Sequence, residues 1–139
     1  MLSGYTILEH PADLGIEAKG ITLHEAFEQA AIGMMSVILD LSGVDVQELQ
    51  EVDLRASDIE QLLVQWLSEI LYLYDGKKFV SKDFLIHTLT HSELKATIRG
   101  EPFSPARHQT KLDVKAITYH QLIVRENEQG GYVKVFLDI

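Results

Sequence analysis

The chain has 139 residues, 46% hydrophobic and 24% charged, which is the composition of an ordinary globular protein and the length of a single domain, residues 1–139. Its 21 acidic residues outweigh 12 basic ones for a formal charge of −9, which argues against direct, tight nucleic-acid binding and favours a basic protein partner or a cation. The absence of cysteine excludes disulfides and thiolate metal sites, and no apolar run reaches the roughly 20 residues that span a bilayer.

The opening Met1–Tyr5 lacks the basic and apolar regions of a signal peptide, so a cytoplasmic protein without membrane contact is expected. Residues 4–9 and 14–19 read as short strands, the second with Leu14, Ile16 and Ala18 alternating against Gly15, Glu17 and Lys19. The His10-Pro11-Ala12-Asp13 turn joins them. Thr22 and Glu25 have capping-box spacing, and Leu23, Phe27, Ala30, Ala31, Met34, Val37 and Ile38 define an amphipathic helix over 23–39. A strand follows at 51–56. Ser57 and Glu60 repeat the capping box ahead of a second apolar helix, about residues 58–74, which stops at Asp75-Gly76.

The remainder reads as β structure. Strands are predicted at 79–80 with 84–90, at 94–101, at 116–126 and at 132–137, with hairpin turns at 91–93 and 127–131. Residues 102–114, with Pro102 and Pro105, form the one long loop, of a kind often functional or mobile. The fold class predicted is α+β: two helices packed on a mostly antiparallel sheet of six or seven strands.

Three acidic groups from opposite ends of the chain are the candidate site. Asp13 ends the first turn, Asp138 is penultimate, and Ile139 carries the terminal carboxylate after an apolar strand. Alone, each has an ordinary explanation, as an Asx turn or as a solvated chain end. Together they would repel one another unless a cation sat between them. An all-oxygen set suits Ca²⁺, Mg²⁺ or Mn²⁺ over zinc or copper. In the segment Lys115–His120, a regular strand would place Lys115, Ile117 and Tyr119 on one face and Ala116, Thr118 and His120 on the other. Lys115 or His120 could then stand beside the acidic groups or a bound partner. His24, His87, His91 and His108 are scattered, and no nucleophile–base pair or phosphate-binding motif is present.

Over its whole length the chain resembles the archease family. The resemblance rests on Glu9-His10-Pro11-Ala12-Asp13-Leu14-Gly15-Ile16, Leu23–Ala30, Leu62–Leu71, Gly100-Glu101-Pro102-Phe103, His108, Lys115–His120 and the ending Phe136-Leu137-Asp138-Ile139. Pro11 stands where the family pattern more often has Thr. The resemblance implies an accessory protein, not an enzyme. It would activate a GTP-dependent tRNA-splicing RNA ligase by promoting guanylylation and multiple turnover. It also implies a divalent-cation site, usually described as calcium, at Asp13, Asp138 and Ile139, with Lys115, His120 and His10 as candidate partner contacts. The alternative it carries is a chaperone of a tRNA cytosine methyltransferase.

Overall fold

A computed structural model describes residues 3–9 and 13–139. The elements follow in the order β1 (Gly4–Glu9), β2 (Asp13–Gly20), α1 (Leu23–Ile38), a short 3-10 turn (Leu41–Gly43), β3 (Glu48–Arg55), α2 (Ile59–Asp75), β4 (Phe79–Leu89), β5 (Glu93–Pro102), β6 (Ala116–Asn127) and β7 (Gly130–Asp138). The α+β class, the two helices and seven antiparallel strands match the sequence reading. The strands divide between two sheets, however, ordered β1-β2-β7-β6 and β3-β5-β4. Alternation says which face of a strand is buried but not which strand it pairs with, so the division was invisible in the sequence.

Both helices pack against strands of both sheets. This explains why α1 is apolar nearly all round: Ala26, Phe27, Ala30, Ala31, Gly33, Met34, Met35, Val37 and Ile38 are all buried. Trp66 of α2 ties the layers together. Its indole N–H donates to the Phe27 carbonyl at 3.0 Å, and its ring meets Phe84 of β4 edge-on at 6.0 Å. On the three-stranded sheet, Gly100 admits no side chain, because a Cβ there would lie 1.8 Å from the Val80 carbonyl oxygen.

The helix starts are close to those expected, with two corrections. The Thr22 hydroxyl accepts from the Glu25 N–H at 3.3 Å, but the Glu25 carboxylate takes the Ile21 N–H at 3.1 Å where Thr22 was expected. At α2 the box is displaced by one residue. Asp58, not Ser57, is the N-cap; its carboxylate accepts from the Gln61 N–H at 2.8 Å, and the Gln61 side chain accepts from the Ser57 N–H at 3.0 Å. Residues 57 and 58 both favour a cap, and the ionised acceptor wins at the end of a helix with positive dipole.

The long loop has structural work at the C-terminal end of α1, whose last carbonyls have no intrahelical donor. The Lys111 and Leu112 N–H groups donate to the Ile38 and Val37 carbonyls at 2.8 and 3.1 Å, and the Lys111 ammonium reaches the Ser36 carbonyl at 2.9 Å. No helix among the described residues is long and apolar enough to cross a membrane.

Candidate functional site

The four-stranded sheet is what unites the chain's ends. β2 and β7 are its central pair, in a register that sets Asp13 directly opposite Asp138, Gly15 opposite Phe136 and Glu17 opposite Lys134. Leu14, Ile16, Ala18, Val133, Val135 and Leu137 point into the core. By strand alternation Asp13 and Asp138 therefore share the outer face, at the end where β2 begins and β7 stops. Directly opposed side chains have Cβ atoms about 5 Å apart, so the two side chains leave the sheet as cross-strand neighbours. Two like charges directly opposed repel each other, and a hard cation between them would reverse the sign. Ile139 follows, half-buried with its side chain against the core. The donors available are oxygens only, which fits Ca²⁺, Mg²⁺ or Mn²⁺. Among the described residues no three His, Cys, Asp or Glu side chains cluster as a metal site. The set read from the sequence has two such side chains and a main-chain terminus. His10, the remaining candidate in the first turn, lies outside the described residues along with Pro11 and Ala12.

β6 supplies the neighbours on the other side. Ala116 pairs with Asp138, and the Lys115 N–H donates to the Asp138 carbonyl at 2.8 Å. Lys115 is thus joined to the site through its backbone, and by parity it belongs with Ile117, which is paired with Leu137. The pairing of β6 with β7 is regular only as far as Thr118, which lies opposite Phe136. Between Thr118 and Ile123 the register shifts, and Gln121 within the continuous strand has φ 51°, a left-handed conformation. The His120 ring lies against Phe136, centroids 5.7 Å apart, on the face of Thr118 as alternation expects, while the His120 N–H donates to the Thr118 hydroxyl at 3.2 Å. Gly15 makes room for that Phe136 ring, since a Cβ would meet it at 2.9 Å. His120 consequently stands one row from the carboxylate pair, over a buried aromatic.

A second titratable cluster was not legible in the sequence. Glu101 and His108 are both buried. The Glu101 carboxylate accepts from the Asp45 N–H at 2.7 Å, from His108 Nε2 at 2.9 Å and from the Arg107 guanidinium. The Ser104 N–H donates to His108 Nδ1 at 2.9 Å, so the ring proton of the neutral imidazole is on Nε2, facing Glu101. The Arg107 guanidinium foremost, with the Asp45 N–H and His108, holds the Glu101 carboxyl down to about 2 against the upward push of burial. Every oxygen is already used by donors of the chain itself, so the cluster is a clasp on the long loop. In the sequence, Glu101 and His108 stood out only as part of the family resemblance.

Comparison with known proteins gives the site its context. The model of the archease protein family matches residues 5–139. The chain belongs to the archease family. It is 39% identical over 139 residues to the protein archease of Methanosarcina acetivorans, covering 97% of this chain and 95% of that one. It is 38% identical over 128 residues to the protein archease of Pyrococcus abyssi, covering 90% of each. The solution structure of Methanobacterium thermoautotrophicum protein 1598 superposes with a TM-score of 0.79 at 31% identity, covering 98% of this chain and 99% of that one. The archease fold thus accounts for the whole described chain, and the Asp13–Asp138 pair lies on its central strands.

Proposed function

We propose that the chain is an accessory protein of a GTP-dependent tRNA-splicing RNA ligase, promoting guanylylation of the ligase and its repeated turnover. The observation that carries this reading is the cross-strand pair Asp13–Asp138, two carboxylates in direct register at an accessible sheet end. Their mutual repulsion has an evident purpose if a cation is held there. Asp13, Asp138 and the carboxylate of Ile139 would hold it, most naturally as Ca²⁺, and the ion would supply concentrated positive charge on an acidic surface. His120, one row away on the same face, and Lys115, exposed and joined to Asp138 through its backbone, are the residues available to a docked partner. The formal charge of −9 favours approach to a basic enzyme over approach to RNA. Membership of the archease family supports the same reading.

The test is guanylylation of the cognate ligase with wild type and with Asp13→Ala. Stimulation by the wild type and its loss in the variant is the expected result. Equal stimulation by both removes Asp13 from the site, and no stimulation by the wild type removes the function.

A further inference from the structure

The far end of the same outer sheet face carries the opposite charge. Register places Lys19, Tyr132 and Arg125 in one row across β2, β7 and β6, and Glu17 beside Lys134 in the next. Lys19, Arg125 and Lys134 are three of the chain's 12 basic residues, against the single carboxylate of Glu17. That carboxylate is already engaged, for it accepts the Tyr132 hydroxyl proton in a short hydrogen bond. Burial first, then the Glu17 bond, pushes the Tyr132 phenol up to about 12, so the donor persists at neutral pH. Among the described residues neither Lys19 nor Arg125 forms an ion pair.

Glu17, Lys19, Arg125 and Tyr132, with Asn127–Gly131 of the β6–β7 hairpin save Glu128, line a hollow of about 280 Å³. Three features prepare it for an oxyanion. The Arg125 guanidinium lies over the Tyr132 ring, 4.4 Å from its centroid, which fixes the plane and leaves the N–H edges available for in-plane hydrogen bonds. Asn127 uses its carbonyl oxygen to accept the Gln129 N–H at 2.8 Å, which leaves its NH₂ group as a donor for another partner. Lys19, across the hollow from Arg125, adds a mobile ammonium. A fork, a point charge and an amide donor converging on one hollow match the several acceptor oxygens of a phosphate group.

We propose that this hollow is a binding site for a small phosphate monoester, held by Lys19, Arg125 and Asn127. It lies at the opposite end of the sheet face from Asp13 and Asp138, three rows away in register. It is independent of the ligase reading, and its test needs no ligase.

The experiment is a two-dimensional amide NMR titration of the chain at constant ionic strength, with inorganic phosphate in one arm and a nucleoside monophosphate in the other. Saturating shifts confined to the neighbourhood of residues 19, 125–131 and 17 are expected. Tighter binding in the second arm identifies the ester as the ligand, and equal binding overturns that part of the proposal in favour of free phosphate. Lys19→Gln and Arg125→Gln should each weaken binding about tenfold, the loss of one charge-assisted contact. Lys134→Gln, one row away, should leave it within about twofold. Dispersed spectra of the variants verify folding in the same experiment. Shifts that fail to saturate, or an equal effect from all three substitutions, would reduce the hollow to ordinary surface charge and overturn the proposal.

Discussion

Replacing Asp138 by Asn separates the structural role of residue 138 from its charge. Its main-chain carbonyl accepts the Lys115 N–H, and that bond survives the substitution. The side chain keeps its size and loses only the charge facing Asp13. A directly opposed like-charge pair costs about 0.2–1 kcal/mol. For a chain of 139 residues, unfolding entropy of about 2.1 cal/mol/K per residue converts 1 kcal/mol into about 3 °C of Tm. In chelator at low salt, Asp138→Asn should therefore melt about 1–3 °C above wild type. With Ca²⁺ at a hundredfold excess over its Kd, wild type gains about 2.7 kcal/mol, or about 9 °C. The variant should gain little, so the two melting curves exchange order. Scanning calorimetry in chelator and in Ca²⁺ reads both signs. Equal gains from Ca²⁺, or a variant less stable than wild type in chelator, would refute the pairing of these carboxylates around a cation.

Other expectations concern different parts of the molecule. Extending the chain by a few residues beyond Ile139 should abolish the Ca²⁺-dependent rise in Tm while leaving the chelator Tm nearly unchanged; a tagged protein with the full rise argues against the terminal carboxylate as a ligand. The Glu101 carboxyl is held at about 2 in the fold and returns to its ordinary 4.5 on unfolding, so it stabilises above pH 4.5 and the contribution fades as pH falls through 2. Melting followed across that acid range should have a shallower slope in Glu101→Gln than in wild type; parallel curves would contradict the clasp. Trp66→Phe loses the bond to the Phe27 carbonyl and part of a buried ring, which should cost about 2 kcal/mol, or about 7 °C by circular dichroism.

What the sequence disclosed follows the range of each physical signal. Leu14, Ile16 and Ala18 announce a strand because alternation is local, and Thr22 announces a helix because a cap needs only its next three residues. Asp13 and Asp138 could be named as candidates because both sit at the ends of such patterns. Their direct opposition is a fact of register, and only long-range pairing decides it. The same holds for Glu101 and His108, whose bond closes across a loop with no periodicity. The register shift after Thr118 escaped for another reason: Gln121, a non-glycine residue at positive φ, carries no compositional mark.

The pairing of β2 with β7 also bears on how the molecule is made. β2 is synthesised well before β7, with two helices and four strands between them, yet they are neighbours at the centre of one sheet. Until β7 emerges, β2 can pair only with β1, and its other edge stays open while the intervening elements are synthesised. Contacts of such sequence separation are slow to form, and open strand edges invite pairing with other nascent chains. Arrested or truncated products lacking the last strand should therefore aggregate during translation, which makes the closing strand the step at which yield in the cell is decided.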